Sequence, residues 1–252
     1  MMDIGTAALL SGAGLVGGVV NAVAGGATLI TFPAMLAAGL PPLIANVSNA
    51  VAMTPGHLVA ALTDRRQLPA LDRRLAATAG IAITGGAIGA WLLLVTPERL
   101  FTALVPALIG LATLIFACGV RIQSALSRKY RDRGDLARDA LLLPTAAYGG
   151  YFGAGLGVML LALLTLTGRE EIRAVNALKN LLATAVSLAS VTVFAIQGVV
   201  HWFETIVMFA GASCGGVLGG KLIAVLPPPI VRALVAAIGA LMTSIYAWRY
   251  WC

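Results

Sequence analysis

Asn176-Ala177-Leu178-Lys179-Asn180 places two amides and an ammonium inside a run that is otherwise apolar. A charge at the centre of a bilayer costs about 2.5–3.5 kcal/mol even on the mildest scale, so such a group faces a protein interior or a water-filled cavity. Asn176, Asn180, Thr184 and Ser187 recur at three- and four-residue spacing and share one helix face, with Lys179 beside them. In the first half of the chain Asn46, Asn49, Met53 and His57 make the corresponding stripe. An unpartnered buried amide costs on the order of 1–3 kcal/mol, so the stripes should face each other or a bound molecule rich in acceptors. Plainer readings stand beside this one. Interhelical hydrogen bonds alone account for the asparagines, Lys179 can snorkel to an interface, and His57 can be a neutral, hydrogen-bonded core histidine rather than a proton carrier.

Two interruptions accompany the stripes. Asn21 with Ala24-Gly25-Gly26-Ala27-Thr28, and the run Tyr148 to Gly157 containing Tyr151 and Gly155, occupy equivalent places in the two halves and break apolar helices. A break at membrane depth frees backbone N–H groups, and the half-helix that follows presents its positive end. Paired interruptions of this kind point to a transporter's binding site, and helix N-termini suit an anion. A simple turn between two short helices is the other reading.

These residues need a membrane-embedded scaffold, and the composition supplies one. The chain has 252 residues, 60% of them hydrophobic and 11% charged, with a mean hydropathy of +0.94. That excludes an ordinary soluble domain. Apolar runs of spanning length without strict alternation favour helices over a barrel, so the fold class is all-α. Ala22-Val23-Ala24 resembles a signal-peptidase site, but the preceding residues hold Asp3 and no Lys or Arg, so residues 4–24 read as a retained first helix.

Ten apolar segments fall at 4–24, 27–40, 43–62, 76–95, 100–120, 139–154, 157–168, 174–197, 204–224 and 231–250. Those at 27–40, 139–154 and 157–168 fall short of a full span and read as broken or re-entrant. Gly85-Gly86-Ala87-Ile88-Gly89-Ala90 recurs 130 residues later as Gly215-Gly216-Val217-Leu218-Gly219-Gly220. The chain therefore divides into a first membrane repeat at 1–120, a basic cytoplasmic linker at 121–138 and a second membrane repeat at 139–252. An odd number of crossings per repeat inverts the second copy. Fifteen Lys and Arg collect on one side, including Arg65, Arg66, Arg73, Arg74 and the linker, against Arg99 and Arg249 on the other. By the positive-inside rule the first side is cytoplasmic and both termini lie outside, which also accounts for the net charge of +7 without nucleic acid.

Several chemistries have no support. Gly215 to Lys221 fits G-x-x-x-x-G-K, but Leu222 stands where the magnesium-binding Ser or Thr belongs, and the setting is an apolar helix. No Asp or Glu lies deep in a segment, so the carboxylate relay of many proton-coupled carriers is missing. Cys118, Cys214 and Cys252 have neither metal-ligand nor disulfide spacing. No nucleophile with its base and no metal motif emerges, so neither an enzyme nor a cofactor is expected. The glycine clusters read as close helix-helix contacts.

Taken together the motifs resemble a known family. Gly14 to Pro33, with Asn21-Ala22-Val23-Ala24-Gly25-Gly26 at its centre, then Gly39-Leu40-Pro41-Pro42, the run Arg173 to Asn180, and Gly215 to Leu222 are similar to the TauE/SafE sulfite exporter family over nearly the whole chain. The resemblance implies a bacterial or archaeal inner-membrane permease for small sulfur-containing anions such as sulfite, sulfonates or related organic acids, commonly moved outward. Many members carry Thr-Asn-Lys where this chain has Ser48-Asn49-Ala50, which leaves Lys179 as the membrane lysine.

The expected site combines Lys179 as the attracting charge, Asn49, Asn176 and Asn180 as donors, His57, and the breaks at Asn21, Gly25, Gly26, Tyr151 and Gly155. The expected partners are a small anion and the lipid bilayer, with a homodimer allowed by the pattern. The competing readings are a membrane scaffold or accessory subunit, whose stripes bind a partner helix, and a passive anion channel.

Overall fold

The computed structural model describes residues 3–23, 26–63, 65–69, 72–129, 134–165, 172–222 and 227–251. Among these residues there are ten α-helices and no strand: α1 (Ile4–Val23), α2 (Thr28–Ala37), α3 (Pro42–Thr63), α4 (Arg73–Val95), α5 (Glu98–Lys129), α6 (Gly134–Tyr151), α7 (Leu156–Leu164), α8 (Ile172–Ile196), α9 (Trp202–Leu222) and α10 (Pro228–Trp251). A short 3₁₀ turn at Arg65–Gln67 follows α3. The chain is an all-α, multi-span membrane protein. Six helices, α1, α4, α5, α8, α9 and α10, contain stretches long and apolar enough to cross a bilayer.

The ends of these helices follow from local chemistry. Pro42 opens α3, where its missing N–H is one of the donors left unpaired at any helix start. Asp72 caps α4, its carboxylate accepting from the Leu75 amide at 2.8 Å. The short α2 and α7 have 10 and 9 residues. At 1.5 Å per residue these extend only about 15 Å, half a hydrocarbon core, so neither crosses it. The segment expected at 139–154 begins earlier than its apolar run, because α6 starts at Gly134 and has 18 residues. Much of the basic stretch at 121–138 is likewise helical, as a continuation of α5 to Lys129 and the first turn of α6.

Most helix contacts obey an exchange of each element with the one five places on, α6 with α8 and α3 with α5 being exceptions. The pair α1 and α9 answers α6 and α4, α3 and α9 answers α8 and α4, α2 and α10 answers α7 and α5, while α3 with α8 and α5 with α10 map onto themselves. This is the pattern produced when two copies of a five-helix unit pack about a two-fold axis. The closest approaches are made by glycine. A Cβ on Gly14, Gly18, Gly211 or Gly215 would overlap the facing backbone of the α1–α9 pair, and one on Gly89 or Gly150 would overlap that of α4–α6. Small residues at four-residue spacing let helices meet backbone to backbone, where lipid supplies no hydrophobic drive.

One apolar cluster joins α2, α3 and α5 around Phe32, Phe101 and Phe116, and a second joins α6, α7 and α8 around Leu142, Leu160 and Leu182. Apolar side chains that face outward, among them Ile88, Leu114, Val217 and Leu241, form the lipid surface, with Trp91, Trp202, Trp248 and Trp251 also outward-facing.

A polar cavity at the meeting of the broken helices

The break between α6 and α7 is set by glycine. Gly153 and Gly155 have φ of +77° and +81°, a left-handed conformation open to glycine at little cost. Gly155 is the N-cap of α7, and the Tyr148 hydroxyl spans the break by donating to the Ala154 carbonyl at 2.9 Å. In the first half Gly26, with φ of +87°, precedes α2, and a Cβ there would meet the Phe116 ring at 2.7 Å. Phe32 and Phe152, beside the two breaks, pack edge to face with centroids 5.4 Å apart.

Between the breaks lies a cavity of about 710 Å³. Asn21, Gly26 and Thr28 from the first break and Gly153, Gly155 and Gly157 from the second line it, together with His57, Asn176, Lys179 and Asn180. The N-termini of α2 and α7 thus border the same space, two positive helix ends turned toward one volume. Lys179 Nζ lies 3.4 Å from Asn176 Oδ1, so the amide holds the ammonium beside the cavity. Arg173, Arg232 and Gln67 also line it. The Nε of Arg232 is buried and has no protein acceptor. No Asp or Glu is among the described lining residues.

A second, smaller chamber of about 40 Å³ continues inward. It shares Thr28, His57, Gly153 and Leu156 with the cavity and adds Asn46, Asn49, Met53, Ser187 and Ser190. Progress along the helices shows its depth. On α8 the cavity takes Asn176 to Ala183 and the chamber takes Ser187 and Ser190, while on α3 the chamber takes Asn46 to Met53 and the cavity takes Gly56 and Ala60. Next to Asn49 on α3, Ser48 Oγ accepts from the His201 amide at 3.1 Å.

The structure therefore collects Asn21, Gly26, His57, Gly155, Asn176, Lys179 and Asn180 around one cavity. Asn49 sits in the deeper chamber, reached from the cavity through His57. Tyr151 lines neither space. Its carbonyl accepts from Asn46 Nδ2 at 2.9 Å, and its hydroxyl lies 3.4 Å from Thr96 Oγ1. Gly25 lies outside the described residues, as do Arg131, Arg133 and Arg169. Arg173, Arg232 and Gln67 were not among the expected site residues. Their sequence positions, at or near the ends of apolar segments, look like those of any interfacial polar residue. The stretch from Gly215 to Lys221 is continuous helix within α9, so it offers no loop in which to cradle a phosphate.

Comparisons with known proteins agree with this architecture. The family model described as Sulfite exporter TauE/SafE matches residues 10–246. A "Probable membrane transporter protein" of Haemophilus influenzae is 32% identical over 247 residues, covering 96% of each chain. The "Probable membrane transporter protein YfcA" of Escherichia coli K12 is 27% identical over 238 residues, 91% of this chain and 85% of that one. A "Probable membrane transporter protein ORF9" of Sinorhizobium sp is 26% identical over 233 residues, 92% of this chain and 88% of that one. No solved structure gives a significant match. A multi-span helical bundle with paired broken helices, matched end to end by transporter relatives, belongs to the Sulfite exporter TauE/SafE family and is a membrane transporter rather than an enzyme.

Proposed function

We propose that the protein is a secondary transporter that exports small sulfur-containing or organic anions, such as sulfite or sulfonates, across the bacterial inner membrane. The carrying observation is the lining of the 710 Å³ cavity: Lys179, Arg173 and Arg232, with no carboxylate among the described lining residues, facing the N-termini of two half-helices. A cluster of cations beside positive helix ends favours an anion, and the buried Nε of Arg232 is a donor without a protein acceptor. Lys179 acts as the point charge, Asn176 and Asn180 donate from the same helix face, and the broken helices add backbone N–H groups.

The orientation in this reading is taken from the charge distribution. Arg65, Arg66, Arg73 and Arg74 sit at the end of the bundle where Gln67 and Arg173 border the cavity, so the positive-inside rule puts its mouth in the cytoplasm and both termini in the periplasm. The conformation described is then the one that loads from inside. Without a nucleotide cradle, the driving force is an ion or substrate gradient.

A thermal-shift screen of the purified protein against sulfite, sulfate, thiosulfate, taurine, sulfoacetate and short carboxylates tests this reading. A ligand that binds only the folded state raises the melting temperature with its concentration. At least one of these anions is expected to do so, and to be carried in proteoliposomes with saturating flux. Lys179→Ala should weaken that anion by about 10- to 150-fold, the equivalent of a charged hydrogen bond. A flat screen, or an anion whose affinity and flux survive Lys179→Ala, would sink the assignment.

A further inference from the structure

The small chamber has chemistry opposite to that of the cavity beside it. Its volume of about 40 Å³ admits one water-sized particle. Asn46 and Asn49 line it, each only 2% exposed, and the Oδ1 of both is buried without a donor. At Asn46 the amide orientation is fixed, because Nδ2 donates to the Tyr151 carbonyl and a flipped amide would set two oxygens against each other. Ser190 donates its hydroxyl proton to the Val186 carbonyl at 2.8 Å, which leaves its lone pairs as acceptors. The chamber also meets the last turn of α6 at Gly149 and Gly150 and the break at Phe152 and Gly153, the negative end of that half-helix. Oxygen acceptors, a helix C-terminus and unwound backbone all converge where a single small particle fits.

We infer that this chamber binds a monovalent metal cation, sodium, held by the side-chain oxygens of Asn46 and Asn49 and bound together with the anion in the adjoining cavity. The inference rests on the anion reading of that cavity. The charge state follows from the lining: no Asp or Glu is present among the described lining residues, whereas the hard divalent cations draw on carboxylates. A coupling cation at a half-helix C-terminus, with an anion at a half-helix N-terminus, is a physically natural division of a broken helix.

Cooperation between the two ions follows from the same inventory. Neutral ligands leave the cation's charge uncompensated, and the fixed charge at the neighbouring cavity, Lys179, is itself positive. An anion seated beside Lys179 supplies the missing negative charge, so each ion raises the affinity of the other by the same factor. The cation in the chamber and the anion in the cavity then load as a pair, and the gradient of one can drive the other.

The test compares sulfite binding to the purified full-length protein, read by thermal shift, in sodium, potassium and N-methylglucamine chloride at equal ionic strength. Sulfite should bind about 5- to 150-fold more tightly in sodium, the usual range of site-site coupling. Ser187→Ala, which removes a chamber oxygen without adding charge, should reduce that ratio. Asn49→Asp, which supplies the negative charge within the chamber, should let sodium stabilise the protein with no sulfite present. Equal sulfite affinity in all three salts overturns the sodium site and leaves an ordered water in the chamber, with the anion reading intact. If sulfite binds in none of the salts yet sodium stabilises Asn49→Asp, the cation site stands and its pairing with sulfite falls. Indifference of both proteins to both ions overturns the site and the pairing together.

Discussion

Arg232 illustrates how a single side chain changes meaning between sequence and structure. In sequence it follows a Pro-Pro-Pro turn and counts as one more cytoplasmic positive charge. In the fold its guanidinium borders the cavity with Nε buried and unaccepted. Arg232→Gln should weaken the transported anion by roughly tenfold, as loss of one charged hydrogen bond implies, with the melting temperature of the ligand-free protein unchanged or raised. An unchanged affinity would remove Arg232 from the site. The lysine and asparagines of α8 were legible because polar groups in an apolar run are conspicuous. Arg173, Arg232 and Gln67 were not, because hydropathy cannot tell a polar side chain at a helix end that borders a cavity from one that faces water. Asn49 was legible as polar and buried, but only the three-dimensional path along α3 separates its chamber from the cavity.

A second residue-scale expectation concerns Asp3 at the start of α1. Its carboxylate accepts from the Thr6 amide at 2.8 Å, and the hydrogen bonds from Thr6 hold its pKa below the usual carboxylate value. A depressed folded-state pKa gives a contribution that is present above the unfolded value and is lost as pH falls through the lower, folded one. The fraying of α1 should therefore increase on acidification below about pH 4, and Asp3→Asn should remove that pH dependence while keeping an acceptor. Amide exchange at Thr6 across acidic pH reports it; a profile identical in both proteins would argue against the cap.

At the scale of elements, nearly every helix could be drawn from the sequence, since lipid demands long apolar runs and Gly, Pro and charges punctuate them. The hydropathy pattern did not give the helical extent of the basic connection. Residues 121–129 and 134–138 are helical, because they extend helices whose membrane portions are already nucleated. The glycine clusters were legible as packing surfaces, but not which helices they join. That assignment makes a sharp contrast available. Gly215→Ala would drive a methyl group into the Leu15 carbonyl of α1, whereas Gly216→Ala meets nothing within 4 Å. The first should cost about 1–3 kcal/mol, the range for overpacking, and lower the melting temperature. The second should be tolerated. Equal behaviour of the pair would show that α1 and α9 do not approach as closely as described.

For the whole molecule, the cavity borders one face of the bundle and the chamber reaches Asn49, next to the Ser48–His201 contact. On a background without the native cysteines, Gln67→Cys should react with a membrane-impermeant thiol reagent in inside-out vesicles and not in intact cells. Labelling from the outside instead would reverse the orientation given by the basic loops. The transported anion should slow the reaction at Gln67→Cys, since both occupy the same cavity. The sequence suggests an orientation through its charge bias and a duplication through its repeated glycines. It did not carry the shape of the cavity, which arises only where segments from both halves meet.

The exchange of partners between halves has a mechanical consequence. Because α1 is pressed against α9 and α4 against α6, backbone to backbone, each half of the chain has lent a helix to the other. Any sliding motion has to carry α1 together with α9 and α4 together with α6, so it cannot separate the two halves of the chain. The same exchange orders assembly in time. The glycine face of α1 enters the bilayer long before α9 has been made and must wait there, covered by lipid, until the chain is almost complete.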